Sequence, residues 1–538
     1  MNYSYSGTIG YRESAQFKSL FLDFVEGKLF ESEFYPYSGK LQDYERVFSE
    51  IQQKKIDRDL LVHCLEGQYS TIRSRGIHHY ALLEANFKLL QLNNSFTVCT
   101  GHQLCVFGGP LFLFTKILSV INRCEALKKL FPEMNFIPVF WMASEDHDID
   151  EIRSVSLFGQ SVHWETKEEG RAGKLRTDGL PVLIDEIEKL LENIPSKQYI
   201  VQHLRKSYSD FQNLADATRY FLHELFGTFG LIIVDGDDKL LKQSFEEVVL
   251  KDVLESVSYT KVKDTIHLLE EKNYLVQVSP REVNYFYTGE NFRERIKLEN
   301  NLFRVQSNDR IYSYGSITDF IKNEIENISP NVVTRPLYQQ TILPNVEYVG
   351  GPGEIAYWLE YFSMFKEMKI TFPILRPRDF IILIDSKNHS KLEETGIKLN
   401  DLFLSPELIH VTFLKRKDLL FTLDEERKEI EDIMQRLSNR ISKIDSSLVN
   451  ASEANFQKFY AGLDQLTQKV NRSLKQRNEV FLKRIEQIRT KILPENTMME
   501  RVNSPLTFIA SDEKFIQSIK NILKENSSED GIKVIVYG

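Results

Sequence analysis

The spacing of apolar residues changes twice along this 538-residue chain, and each change marks a different kind of structure. Over roughly the first ninety residues apolar side chains recur at three- and four-residue steps, as in Phe17, Leu20, Phe21, Phe24 and Val25 and again in "DLLVHCLEGQY", the period of amphipathic helices. Short apolar runs then begin to alternate with glycine turns. "SFTVCTGHQLCVFGGPLFLFTKILSVINRCEALKKL" predicts a strand, a turn and a helix that Pro110 opens at its first turn, and "NFIPVFWMAS" predicts the next buried strand. Strand, glycine loop, helix and strand form a βαβ unit, which implies a parallel sheet with a right-handed crossover. The order returns in "YVGGPGEIAYWLEYFSMFKEMKITFPILRPRDFIILID". Another strand and helix lie in "GLIIVDGDDKLLKQSFEEVVLKDVL", and "QVSPREVNYFYTGENFRERIKLENNLFRV" reads as an antiparallel insertion. The expected fold class is α/β, with a core over residues 1–385 and insertions at about 151–230 and 275–330.

Past residue 385 the strand grammar stops. Ile430, Ile433, Leu437, Ile441 and Ile444 recur at helical steps, as do Leu463, Leu466, Val470, Leu474, Phe481, Ile485, Ile488 and Ile492. Two long helices joined by "SSLVNASEAN" make an antiparallel coiled-coil hairpin, with Asn450 and Glu453 as a capping box for the second. The expected arm covers residues 386–500, and residues 501–538 return to the core with "IKVIVYG" as a strand.

Composition narrows the function classes. The 42% hydrophobic and 27% charged content is that of a globular protein, and a net charge of −9 gives no global basic field for nucleic acid. Four cysteines without a CxxC pair suit a reducing, cytoplasmic setting. No apolar run reaches membrane-spanning length, and the N-terminal stretch lacks the pattern of a secretory signal. One local basic feature remains: nine Lys or Arg against three Asp or Glu between Phe456 and Lys491. The preceding helix is acidic, so pairing within the hairpin or across a dimer accounts for that charge; RNA binding through Arg472, Lys475 and Arg484 is the rival account.

Candidate chemistry gathers at strand ends. Gly101, His102, Gln103, Gly108, Gly109 and Pro110 form one turn between a strand and a helix, and Gly350, Gly351 and Glu354 another; such turns let backbone N–H groups approach phosphate or carboxylate, or simply meet a steric need. Ligands of parallel sheets sit at the carboxyl ends of the strands, where both turns fall. "WMASEDHDIDE" follows a strand, so Glu145, Asp146, His147 and Asp148 are catalytic candidates, suited to a general base, an amine anchor or metal ligands, with Asp150 and Glu151 as a supporting rim; a solvated surface loop is the plainer account. Arg376 and Arg378 suit a carboxylate or phosphate clamp, or a structural ion pair. No spacing suggests a structural zinc site.

With "TGHQ", "FGGP", "FWMASEDHDIDEI", "GGPGEIAYW" and "LRPRDF" in this order and a helical arm behind them, the chain resembles the bacillithiol biosynthesis cysteine-adding enzymes over essentially its whole length. That resemblance implies a Rossmann-type core with connecting-peptide insertions, similar to class I aminoacyl-tRNA synthetases, and a coiled coil used for homodimerisation. It also implies ligation of cysteine to the amine of glucosaminyl malate, with ATP driving carboxylate activation as an adenylate or an acyl phosphate and Mg as the candidate ion beside it. The class I ATP motifs are not matched: "TGHQ" and "FGGP" stand in the first position, and no KMSKS counterpart follows. In this scheme the two glycine turns cradle phosphate or carboxylate, Glu145 to Asp148 handle the amine, and Arg376 and Arg378 neutralise malate carboxylates or phosphates.

Overall fold

The computed structural model describes residues 1–306 and 310–538. Its centre is a five-stranded parallel sheet built from β1 (Ser95–His102), β2 (Asn135–Met142), β3 (Ile232–Asp235), β4 (Asn345–Gly350) and β5 (Ile374–Pro377). The strand order is β5-β4-β1-β2-β3, and every pairing is parallel. Because both faces of such a sheet are covered, its strands read as nearly unbroken apolar runs; in β1 and β4 all residues but His102 are buried. The expected α/β class with a parallel Rossmann-type sheet is what the chain forms.

Helix α1 (Leu111–Leu130) connects β1 to β2 and packs on both. Pro110 is its N-cap residue rather than its first helical residue. Helix α2 (Pro352–Leu359) follows β4, with Pro352 opening it and Glu354 at its third position. From β1 the chain moves one way to β2 and β3, whereas β4 lies on the other side. A crevice therefore opens between the carboxyl ends of β1 and β4, where such sheets bind ligands.

The amino-terminal region departs from an all-helical reading. Tyr3–Ile9 is a strand, and the helices Ser19–Val25, Leu41–Gln53, Arg58–Ser74 and Tyr80–Leu90 follow it. The antiparallel insertion is present: Tyr285–Thr288 pairs with Arg293–Arg295 and with Ile328–Pro330. The carboxyl-terminal strand is Ile532–Tyr537.

Two compact units are recognised. One holds residues 1–12, 16–382 and 500–535; the other holds 13–15, 383–499 and 536–538. The second unit contains α3 (Asp424–Ser442), α4 (Val449–Arg477) and α5 (Glu479–Ile492), so the expected second arm helix is divided at Asn478. Asn450 and Glu453 form no capping box, because the helix already begins at Val449, after a turn in which the Asp445 side chain accepts from the Ser447 N–H. Among the described residues a single ion pair, Arg427 with Asp464, joins α3 to α4. Its polarity is opposite to the expected pairing of an acidic first helix with a basic second one. No described helix is long and apolar enough to cross a membrane.

The turn before α1 is sterically committed. Gly108 and Gly109 have φ of +82° and +58°, and a Cβ on Gly109 would stand 2.5 Å from Cβ of Cys105. Gly109→Ala should lower unfolding stability by about 1–3 kcal/mol through left-handed strain and overpacking. A denaturant midpoint shift at unchanged slope measures it.

Candidate active site

The crevice between β1 and β4 widens into a cavity of about 790 Å³. Gly101, His102 and Gln103 reach it from the end of β1, and Gly351 and Glu354 from the turn after β4. Glu145 and Asp146 come from the loop after β2, and Phe286, Arg293 and Arg295 from the antiparallel insertion.

A buried lysine joins the two glycine turns. Lys116, on the second turn of α1 and only 2% exposed, donates from Nζ to the Gly101 carbonyl at 2.8 Å and pairs with Glu354 Oε2 at 2.6 Å. Glu354 also accepts from the Tyr348 hydroxyl at 2.7 Å and the Gly351 N–H at 2.8 Å. Burial alone would raise the Glu354 carboxyl; the Lys116 ammonium and these two donors outweigh it and hold the group below its ordinary value. For Lys116 burial prevails over Glu354, and its pKa falls below the lysine norm.

His102 is neutral at physiological pH, because burial, with Lys116 adding repulsion, pulls its pKa down to about 4. Its Nδ1 lies 3.1 Å from the Gln103 carbonyl, a contact that requires the proton on Nδ1 and leaves Nε2 as an acceptor. The Gln103 amide donates to Asp146 at 2.7 Å and to Glu151 at 2.5 Å, tying the glycine turn to the acidic loop. Asp146 is partly buried, which alone would raise it. Hydrogen bonds from His147 and Gln103 and the nearby Arg293 guanidinium instead hold it far below the carboxylate range. Asp146 is thus a fixed negative charge, suited to anchor an ammonium and unsuited to remove a proton at neutral pH.

The other members of the acidic run divide. Glu145 is buried and pairs with Lys242 at 2.7 Å; Lys242 also binds Asp237 at 2.9 Å, and Asp237 binds Arg171 at 2.9 Å. Burial raises the Glu145 carboxyl against the pull of Lys242. His147 accepts at Nδ1 from Arg293 at 3.1 Å and, with Asp148 and Asp150, faces a shallow outer depression rather than the cavity. Asp148 accepts from the Glu151 N–H at 3.4 Å as the N-cap of the short helix Ile149–Ile152.

The two expected clamp arginines also separate. Arg378 binds Glu500 through both terminal nitrogens, at 3.0 and 2.6 Å, with both side chains buried, so its fork is committed to an internal carboxylate although it touches the cavity wall. Arg376 is 41% exposed and lies at 4.0 Å from Glu347, beside a different cavity. Gly108, Gly109, Pro110 and Gly350 shape the turns without lining the cavity.

Apart from Arg378, the cations that line it escaped the sequence reading. Lys116, Arg281, Arg293, Arg295, Arg335, Arg378 and Arg501 face Glu145, Asp146, Glu151 and Glu354, a surplus of basic groups in a chain of net charge −9. Among the described residues Arg281, Arg295, Arg335 and Arg501 form no ion pair with a carboxylate. Lys116 left a trace in the sequence, a charge inside the apolar run "PLFLFTKILSVI". Arg281, Arg293 and Arg295 stand in the predicted insertion, where nothing local says which way they point.

A parallel-sheet core with cavity-lining loops at its strand ends, joined in one chain to a region of long helices, defines a Rossmann-like class of protein. The model described as Bacillithiol biosynthesis BshC, N-terminal Rossmann-like domain, matches residues 7–379, and that described as Bacillithiol biosynthesis BshC, C-terminal coiled-coil domain, matches residues 381–532. The chain belongs to this BshC family, an enzyme family whose members are named as cysteine ligases. A protein of Flavobacterium psychrophilum named "Putative cysteine ligase BshC" is 34% identical over 520 residues, 96% of this chain and 97% of its own. Proteins of the same name from Cytophaga hutchinsonii (33% identity; 95% of each chain) and Staphylococcus haemolyticus (25%; 76% of this chain, 79% of its own) are also similar. A solved chain described as "putative arginyl t-RNA synthetase" from Campylobacter jejuni shares 11% identity over 84% of this chain and 98% of that one, at a TM-score of 0.23, too low to transfer fold or function.

The ion-pair geometry yields a stability contrast. Arg378→Met leaves Glu500 buried without its partner and should cost about 3–5 kcal/mol. Arg376→Met removes a half-exposed charge whose buried partner Glu347 keeps Arg123, and should cost less, about 1 kcal/mol. Parallel urea titrations of the two variants check the ordering.

Proposed function

We propose that the 790 Å³ cavity is the active site of a ligase that joins cysteine to the amine of glucosaminyl malate, with nucleotide-dependent activation of the cysteine carboxylate. The observation that carries this reading is the cationic lining with four arginines free of carboxylate partners among the described residues. Such a surface suits reactants that are themselves anionic, a malate dicarboxylate and the phosphates of ATP. Relatives named as cysteine ligases support the bond that is made.

The residues divide the work by charge. Arg281, Arg293 and Arg295 on the insertion side bind the dicarboxylate. Lys116 and Arg501, with the turns at Gly101 and Gly351, stabilise charge on the phosphates. Asp146 orients the amine as its ammonium, and His102 Nε2 accepts from a neighbouring N–H or O–H. Among the described residues no cluster of three or more His, Cys, Asp or Glu side chains is arranged to hold a metal, so Mg would enter on the nucleotide's phosphates. The arm exposes Ile433, Leu437, Phe459 and Leu466, an apolar surface that suits pairing with a second copy in a homodimer. Four buried free thiols accord with a reducing cytoplasm.

The test is formation of bacillithiol by the purified chain from glucosaminyl malate, cysteine and ATP, with nucleotide consumed in proportion. Arg295→Ala should lower kcat/KM for glucosaminyl malate, and Arg501→Ala that for ATP, each by about 10- to 100-fold, the loss of one charge-assisted hydrogen bond. Turnover at wild-type rates in both variants, or no product from the wild-type chain, would contradict the assignment. Salt-dependent RNA binding lost on charge reversal at Arg472 and Lys475 would support the rival reading instead.

A further inference from the structure

One wall of the cavity is neither helix nor strand. Gln277, Val278, Ser279 and Arg281 line it within the irregular segment that follows the helix Val257–Glu271, and Gln277 faces the Gly353 side of the turn that opens α2. An irregular segment at a binding surface needs an anchor, since its own backbone offers few internal hydrogen bonds. The anchor lies at the far end of α2. Glu360, the residue that ends that helix and is fully buried, accepts from the Gln277 N–H at 2.7 Å through one carboxyl oxygen and from the Val278 N–H at 3.4 Å through the other. Among the described residues no cation pairs with it.

We infer that Glu360 is a positioning residue for the cavity: its carboxylate pins Gln277 and Val278, and through them sets the place of Arg281 against the substrate. Helix α2 then serves the site at both ends. Its first turn supplies Glu354 to Lys116, and its last residue holds the opposite wall. The inference rests on the proposal above that this cavity receives the substrates.

The anchor depends on ionisation. A carboxylate accepts at both oxygens, and a protonated carboxyl still accepts at its carbonyl oxygen without the cost of burying a charge. Burial pushes the Glu360 pKa up to about 7, and the two backbone donors oppose this only in part. The elements packed against α2 carry Asp23, on the helix Ser19–Val25, Glu347 on β4 and Arg376 on β5. Asp23 is held by Arg12, Lys28 and the Tyr274 hydroxyl, and Glu347 by Arg123, Arg376 and the Tyr44 hydroxyl. The neighbouring phenols of Tyr357 and Tyr361 are pushed up by burial and stay protonated. The sign follows: a carboxyl that titrates higher when buried against the segment than in water takes up a proton as the wall closes, so the hold is firmest at acid pH and weakens as pH rises through 7.

Amide hydrogen exchange on the full chain, with rates corrected for their intrinsic pH dependence, reads this directly. Protection at Gln277 and Val278 should rise about tenfold between pH 8 and pH 6 in the wild-type chain, the proton-linked gain of a carboxyl that titrates near 7 when held. In Glu360→Gln, which keeps one accepting oxygen and turns an NH2 toward the other N–H, it should be equal at both values and below the wild-type level at pH 6. Protection that ignores pH in the wild-type chain, or is unchanged in the variant, overturns the inference, and the wild-type result stands even where the variant folds poorly. In the ligase assay Glu360→Gln should raise KM for glucosaminyl malate about 3- to 10-fold with kcat within about twofold. Exchange that follows pH while KM does not overturns the positioning role. A wild-type chain without turnover counts against the proposed function, and the exchange result then still decides whether Glu360 holds the segment.

Discussion

The geometry of the site depends on one buried charge. Lys116 sits behind the end of β1 and binds both the Gly101 carbonyl and Glu354, so it couples the turn after β1 to the turn after β4 across the switch in strand order. A buried ammonium without partners would be costly, and here its charge is met at each turn. Glu354 is in turn fixed by the Tyr348 hydroxyl and by the N–H of Gly351 at the start of its own helix. Displacing any one of these groups strands another in low dielectric, which opposes movement of the two turns relative to each other.

Around that pair the cavity accumulates positive charge in a chain that is negative overall. The field arises from placement: the antiparallel insertion brings Arg281, Arg293 and Arg295 to one wall, while Arg501 approaches from the carboxyl-terminal part of the same compact unit. Some arginines serve the fold. Arg378 is bound at both forks by buried Glu500, whereas Arg501, one residue further along, has no carboxylate partner and faces the cavity. Adjacent residues thus divide into an internal tie and a cavity-facing cation.

The sheet was legible in the sequence because its strands are buried on both faces and therefore apolar throughout, and because glycine turns separate them from helices with visible boundaries. The strand Tyr3–Ile9 was not, since its alternating polar residues offer no continuous run. The site was half legible. Gly101, His102, Gln103, Asp146 and Glu354 reach the cavity because they end strands or begin helices whose direction the pattern sets. His147 and Asp148, next in line, turn outward, since Asp148 is consumed in capping a short helix that the acidic run conceals. Arg501 had no local signal at all: its position depends on Glu500 being buried against Arg378, a contact between residues more than a hundred positions apart.

The claim that one ion pair organises the site is tested most directly by a double-mutant cycle on Lys116→Met and Glu354→Gln, with ligase turnover as readout. Because each variant removes the same tie between the turns, each alone should reduce kcat/KM by about 10²-fold or more, and the double variant should be little worse than either single one. Losses that multiply as though the two residues acted independently would contradict the account.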